Sequence, residues 1–333
     1  MNDEHLITLA EGGGGPAGNR LIREEILSRF GNPALSPLPD AASLPGDLVF
    51  STDSFVVTPH FFPGGNIGKL AVCGTVNDIA VAGGIPQYLS LALILEEGLP
   101  RTRLQQILDA AAACAVDSGV TVVTGDTKVL PRGMVDGLYI NTAGIGRRNP
   151  RLILGQDRIK AGDAVLVSGS IGEHGMAVMA ARHRIGGEGV KSDCAPLAGL
   201  ILAAAEAAGD RIRFMRDPTR GGVGAVVEEA VTGTGCGIEL ELAALPKSPA
   251  VTTLAAMLGI DPLFAACEGR VVMIADPAAE ADLLKLCRSF PGGEMAARIG
   301  TVNDDAGRVT LLGEWGGRRL MIQPDGDQLP RIC

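Results

Sequence analysis

Short β-rich runs alternate with stretches of helical period along most of the chain, and one basic, polar connection, Arg147–Gly162, interrupts the alternation. That pattern admits few folds: sheets covered by helices, in two successive units. In the first half, Leu48–Ser51, Leu89–Leu95, Val120–Thr124 and Leu138–Ile145 read as strands. Apolar residues at Ile67, Leu70, Ala71 and Ile79 predict a helix over Ile67–Ala82. Thr102 can cap a second helix running to Ser118, with Gly119 just past its end. The second half predicts strands at Ala164–Val167, Ile238–Leu242 and Val271–Ile274. Its helices are expected at Gly175–His183, Leu197–Ala208, Thr219–Thr232, Val251–Leu258 and Ala278–Arg288.

The expected layout is an arm over residues 1–45, a first domain over 46–150, a second over 151–315 and a tail over 316–333. The arm holds one helix around Leu21–Leu27, between the glycine run Gly12–Gly15 and a link carrying Pro33, Pro37, Pro39 and Pro45. The tail contains little that can pack. A length of 333 residues suits about two domains. A hydrophobic fraction of 46% against 20% charged excludes a disordered chain.

A net charge of −9 argues against a non-specific grip on nucleic acid or an anionic membrane. Met1–Ala10 contains Asp3, Glu4 and His5 and lacks the basic and apolar regions of an export signal. Apolar stretches such as Leu197–Ala205 are too short to cross a bilayer. The seven cysteines form no C-x-x-C pair and are odd in number, so a disulfide framework is not expected and a reducing cytoplasm fits.

Four aspartates stand where apolar runs meet Gly, Thr or Asn: Asp53, Asp78, Asp126 and Asp217. Clustered carboxylates suit Mg²⁺, a hard ion that takes oxygen ligands and bridges to phosphates. Each Asp alone is equally a turn or helix-capping residue. Pro63–Lys69 resembles a phosphate loop opening a helix, yet Leu70 stands where a Walker motif needs Ser or Thr. Gly12–Gly15 reads as a flexible linker or as a backbone nest for an anion. His174, in Gly172-Glu-His-Gly175, is as readily a hydrogen-bonded turn residue as a catalyst.

Cys333 is the oddest feature. Six cysteines lie in apolar contexts and read as small buried hydrophobes, whereas Cys333 follows a tail with nothing to bury it. Either it is a chance residue in a frayed end, or it is a thiol on a swinging arm that carries a covalent group. Residues 316–333 could extend to roughly 60 Å.

With these residues in view, the chain closely resembles the HypE family, the carbamoyl dehydratases of nickel–iron hydrogenase maturation. That family lies within the PurM-like superfamily of aminoimidazole ribonucleotide (AIR) synthetase. The resemblance rests on Ser51–Phe55, Phe62–Ala71, Gly74–Ala80, Thr124–Val129, Val167–Gly175, Asp217–Gly222, Cys267–Arg270 and the ending Pro330-Arg-Ile-Cys333. The acidic and glycine motifs mark the superfamily; the ending selects the family. Glu11 stands where the family usually has His before the glycine run, and Glu173 where Asp is frequent.

The resemblance implies an α+β, two-domain PurM-like (AIR synthase-like) fold with a flexible C-terminal tail, dimeric through its N-terminal domains. It implies ATP and Mg²⁺ as cofactors, with the carbamoyltransferase HypF and the HypC–HypD complex as partners. Asp53, Asp78 and Asp126 would hold the metal, with Asp217 a weaker candidate. Thr52, Asn77, Thr127, Gly65, Asn66, Gly68 and Lys69 would hold the nucleotide. Cys333 would receive a carbamoyl group, and its S-carboxamide would be dehydrated to a thiocyanate that supplies the cyanide ligand. Lys128 and Glu268 would handle the nitrogen proton; which of them is the base stays open. Two rival readings are a sister ATP-dependent enzyme acting on a free small molecule and a non-catalytic carrier of the thiol. The need for ATP follows from leaving-group chemistry. Hydroxide is the conjugate base of water, whose pKa is about 15.7, whereas phosphate is a far weaker base, with a second pKa near 6 in its monoesters.

Overall fold

The computed structural model describes residues 6–12, 15–35, 38–185, 189–324, 329 and 331–333. Gly13 and Gly14 of the glycine run and Pro37 of the link therefore lie outside the described residues. Two sheets organise the chain. Strands β1 (Ala42–Leu44), β2 (Leu48–Phe55), β5 (Gly84–Glu96), β6 (Thr121–Leu130) and β7 (Leu138–Arg148) form the first, in the order β1-β2-β7-β5-β6. Its neighbours are antiparallel except for the parallel pair β5–β6. A short ribbon, β3 (Phe61–Phe62) with β4 (Gly65–Asn66), leads into the helix Ile67–Val81.

The second sheet collects β8 (Ala164–Val167), β9 (Ile212–Arg216), β10 (Gly237–Glu241), β11 (Val272–Ala275), β12 (Ala297–Asn303), β13 (Val309–Leu312) and β14 (Arg318–Leu320). Their order is β14-β13-β10-β12-β8-β11-β9. The predicted helices appear as Arg101–Asp117, Glu173–His183, Ala198–Ala207, Gly222–Val231, Pro249–Leu258 and Glu280–Ser289. Gly119 follows the first of these with φ +69°, the left-handed conformation expected of a residue just past a helix end. The helix predicted from Thr219 starts only at Gly222, because Gly221 and Gly222 take φ of +76° and +60° and hold the chain in a turn. Strands β9 and β12 to β14 were not expected; Arg, Thr, Gly or Asn residues interrupt their apolar runs without a regular alternation.

Thirteen of the fifteen residues of the helix Ile67–Val81 are buried, all but Lys69 and Asp78. A helix apolar almost all round is a core element, and it packs between the first sheet and the second domain. Its close approach to the helix Arg101–Asp117 needs Gly68, where a Cβ would stand 2.1 Å from the Ile107 carbonyl oxygen. β6 contrasts with it: from Thr121 to Val129 every residue of this edge strand is exposed.

The expectation of an unpackable tail is overturned. β14 pairs with β13, and Met321 is buried in the second domain's core. Leu329 and Ile332 are buried against the core of the first domain and the helix Glu173–His183, with Cys333 packed partly against it. Each aliphatic side chain so buried contributes about 1.5–3 kcal/mol before ordering costs. Two isolated aliphatics carry no periodicity, which is why the sequence hid this contact.

Candidate functional site

The site begins where β2 ends. Asp53 lies on β2, partly exposed, and its Oδ1 accepts from the Ser54 amide at 2.7 Å. Asp78 is one of the two residues that the helix Ile67–Val81 leaves unburied. Asp217 follows β9 and is 4% exposed, and Asp40 comes from the segment before β1. One carboxylate oxygen from each of Asp40, Asp78 and Asp217 lies within 4.8 Å of the others. Asp217 Oδ2 is buried without a hydrogen-bond partner. Arg216 bridges Asp40 at 2.7 Å and Glu229 at 2.8 Å, offsetting part of the charge.

Burial, and then the charges of Asp217, Asp40 and Asp53, push the Asp78 carboxyl well above its ordinary range. Burial followed by the Asp40 charge does the same to Asp217, and burial raises Asp53. Ser51 shows the consequence. Its Oγ lies 2.9 Å from the Asp40 carbonyl oxygen and 2.7 Å from Asp78 Oδ2, yet a hydroxyl has one proton. The Asp40 carbonyl and an ionised Asp78 carboxylate would compete for that one proton. Like-charged oxygens packed this closely with an unpartnered lone pair fit a hard divalent cation, which would replace the shared protons.

Glu268 stands beside this cluster, 2% exposed, with Oε1 buried and unpartnered. Burial first, and then Cys194, Asp217, Asp53 and Asp193, raise its pKa strongly. Its main chain is fixed at both ends. The Glu268 amide donates to Asp193 Oδ1 at 3.1 Å, and Asn77 Nδ2 donates to its carbonyl at 3.2 Å. Asn77 also donates to the Ala195 carbonyl and accepts from the Leu197 amide, so its whole amide group is spent tying the first domain to the second. Arg270 balances the acidic side, bonded to Glu173 at 2.8 Å and lying 3.6 Å from Asp193.

The tail enters from the opposite side. Its last residues run antiparallel beside the segment that continues β2: the Val56 amide donates to the Cys333 carbonyl at 3.0 Å and the Thr58 amide to the Arg331 carbonyl at 3.3 Å. Arg331 Nε donates to the Val56 carbonyl, and its guanidinium pairs with Asp136 at 3.0 Å. Cys333 therefore pairs with Val56, three residues beyond Asp53, a separation of roughly 10 Å along a strand.

The remaining expected residues fall in three groups. Asn66 caps the helix Ile67–Val81, its Oδ1 accepting from the amides of Gly68 and Lys69 at 2.9 and 3.1 Å, so those two donors are already occupied. Gly65 packs under the Phe62 ring and the Lys69 stem, on the tail's side of the first domain. Thr52 donates to the Thr142 carbonyl across β2–β7, an exposed strand position. Asp126, Thr127 and Lys128 do not join the others within this chain. They lie exposed on β6, where Asp126 pairs with Lys128 at 2.9 Å and accepts from the Thr127 amide. The register Asp53–Thr142–Leu91–Gly125 puts three strand spacings, roughly 14 Å, between Asp53 and the neighbour of Asp126. A single ion cannot be held across that gap by one chain, and among the described residues the carboxylates that one chain does bring together are Asp40, Asp78 and Asp217. Asp217 was the weaker candidate, and Asp40, in Pro39-Asp-Ala, carries no motif. Lys128 likewise engages Asp126 rather than Glu268.

Residues 39–148 match the family model for the AIR synthase related protein N-terminal domain, and residues 160–311 match that for its C-terminal domain. The chain is 46% identical to the carbamoyl dehydratase HypE of Escherichia coli (strain K12), over 98% of this chain and 99% of that protein. It is 44% identical to the carbamoyl dehydratase HypE of Rhizobium leguminosarum, over 98% and 95%. A crystal structure of a HypE–HypF complex superposes with a TM-score of 0.88 at 42% identity, covering 91% of this chain and 99% of that one. One of HypE in complex with ATP superposes at 0.81 and 40% identity, covering 98% and 100%. The α+β architecture of two AIR synthase related domains, the acidic cleft and this full-length likeness together place the chain in the HypE family.

Proposed function

We propose that the chain is an ATP-dependent carbamoyl dehydratase whose substrate is its own Cys333. The S-carboxamide on that sulfur loses its oxygen to phosphate and becomes a thiocyanate, the source of a cyanide ligand for hydrogenase iron. The overall change is carboxamide plus ATP giving thiocyanate, ADP and phosphate, with two protons leaving the nitrogen. The observation that carries this reading is the docked tail, which holds Cys333 beside the strand that bears Asp53 and next to the domain that bears Glu268.

Asp40, Asp78, Asp217 and the adjacent Asp53 would hold Mg²⁺ on the phosphates, and ATP with its metal supplies a leaving group in place of hydroxide. Glu268 takes a nitrogen proton: its strongly raised pKa makes it an avid base once deprotonated, and no competing donor occupies Oε1. The buried walls exclude water that would hydrolyse the thioester-like carboxamide.

A homodimer accounts for β6. A long edge strand exposed on both faces, with Val122, Val123 and Val129 open to solvent, invites pairing with another chain. A second copy there would also bring its exposed Asp126, Thr127 and Lys128 towards a site they do not reach in one chain. SEC with light scattering is expected to give a dimer, and Val123→Asp a monomer; an unchanged mass for the variant would reject this edge. HypF as carbamoyl donor and HypC–HypD as acceptor fit the likeness to the HypE of the HypE–HypF complex. Among the described residues no helix is long and apolar enough to cross a membrane, and no cysteine is in a disulfide; both fit a cytoplasmic setting.

Intact-mass spectrometry after incubation with carbamoyl donor, HypF and MgATP tests the reading. A gain of about 43 Da followed by a loss of about 18 Da is expected, and neither in Cys333→Ala. Modification of another cysteine would overturn it.

A further inference from the structure

The tail is held by its main chain. His174 is fully buried, and its Nε2 lies 2.8 Å from the Ile332 carbonyl oxygen. A carbonyl only accepts, so Nε2 carries the proton and Nδ1 accepts from the Ser192 hydroxyl at 2.8 Å. Ser192 Oγ in turn accepts from the Cys194 amide at 3.0 Å. The neutral tautomer is thus fixed from both sides, and the Phe62 ring meets the imidazole edge-on at 5.2 Å. Arg182, the penultimate residue of the same helix, donates to the Arg331 carbonyl at 2.8 Å and twice to the Thr58 carbonyl, at 2.9 and 3.0 Å. One guanidinium therefore joins the tail, the first domain and the second.

Among the described residues, the amides of Val56 and Thr58 and the side chains of His174 and Arg182 donate to main-chain oxygens of Arg331, Ile332 and Cys333, and the Arg331 side chain answers by donating to the Val56 carbonyl. The side chains that add to them, Leu329, Arg331 and Ile332, lie upstream of the sulfur. Gly175 makes room for one of them, since a Cβ there would stand 2.9 Å from Leu329 Cδ1. The far end of the His174 chain is the loop Ser192–Ala195, whose Asp193 fixes the Glu268 amide.

We infer that His174 and Arg182 are positioning residues that clamp the tail by its backbone, so that the sulfur stays at one place in the cleft whatever group it carries. The inference rests on the proposed function for its purpose. Such a clamp suits a substrate that is also the product: free thiol, carboxamide and thiocyanate differ only beyond Cβ, so no regrip is needed between steps. It also ties tail arrival to the loop that orders Glu268.

Hydrogen exchange on the full-length protein tests this without turnover. The amides of Val56 and Thr58 report the docked tail, and a chain truncated after Gln328 gives the undocked reference. Protection in wild type is expected to be unchanged after iodoacetamide treatment, which adds a carboxamide-bearing group to Cys333. His174→Phe keeps the ring beside Phe62 and removes both hydrogen bonds; Arg182→Gln removes the three-way link on a partly exposed surface. Each is expected to lower protection at Val56 and Thr58 at least tenfold and to speed Cys333 alkylation by a similar factor, with exchange in the second sheet unchanged. Wild-type protection in both variants, or loss of protection on alkylation alone, overturns the clamp. Were His174→Phe to misfold, Arg182→Gln decides. A wild type that docks as described yet shows no dehydration would reject the proposed function and leave the clamp standing.

Discussion

The acidic cluster and the tail dock both adjoin β2 and the segment that continues it, and they solve the burial of polar groups in opposite ways. In the cluster, three carboxylates share one space, Asp217 Oδ2 lacks a partner, and repulsion adds to desolvation in holding protons on. In the dock, both nitrogens of His174 are satisfied, and the tail carbonyls it meets with Arg182 are paired. Buried groups that are fully bonded rigidify a structure, whereas unsatisfied ones mark a place where something else belongs. The dock is satisfied by its own chain; the cluster keeps an unpartnered oxygen that a cation could take.

The largest effect expected from this contrast comes from Asp217→Asn. The substitution removes a carboxylate that burial and the Asp40 charge make costly to ionise and that a metal would need. Mg²⁺-dependent turnover should fall at least roughly 100-fold, while stability without metal is kept or rises. Thermal unfolding without metal reads the second quantity. A variant less stable than the wild type without metal would mean that the cluster is satisfied as it stands, and the comparison would fail.

A smaller effect sharpens the same point through pH. Asp78 and Asp217 have folded pKa values raised above their unfolded ones, so their contribution to stability is fully present below the unfolded value and is lost as pH rises through the raised folded value. Mg²⁺ binding expels those protons, so affinity should climb with pH by up to tenfold per unit for each proton released. Measured from pH 6 to 8, the midpoint rise given by saturating Mg²⁺ should grow with pH. A rise independent of pH would show that these carboxylates are ionised before the metal arrives.

The two regions were unequally legible in the sequence. The helix Ile67–Val81 and the strands of both sheet centres announce themselves by period, and Asp78 and Glu268 sit in motifs specific enough to carry a family resemblance. Asp40 has no such context: it joins the cluster only because the arm folds back across β2, where Arg216 pairs with it from β9. Asp126 differs the other way. Its Gly-Asp-Thr-Lys setting looks like the other acidic motifs, yet strand order puts it on the far edge of its own chain's sheet, and strand order is a long-range property no local pattern encodes. The dock was invisible for a related reason. Main-chain carbonyls leave no trace in residue identity, and His174 read equally well as a turn residue.

The smallest predicted effect bears on the dock alone. Desolvation lowers the His174 pKa, outweighing the Ile332 carbonyl and the Asp193 charge, which pull it up. The folded value is thus depressed, and the sign follows: the dock is fully stable above the ordinary histidine value of about 6.5 and weakens as pH falls towards the depressed one, because the released ring takes a proton that the docked ring refuses. Protonated Nδ1 could no longer accept from Ser192, so that bond would have to reverse and the Ser192 hydroxyl proton would lose its acceptor. Cys333 alkylation at pH 5.5, expressed relative to the same cysteine in denatured protein to cancel thiol ionisation, should exceed its value at pH 7 several-fold. His174→Phe should show a high ratio with no slope, since the titrating group is gone. Equal slopes in both would place the sensitive group elsewhere, with the carboxylates across the cleft the next to test. The acid cluster would gain stability over the same range in which the dock loses it, so mild acid separates the two regions without a mutation.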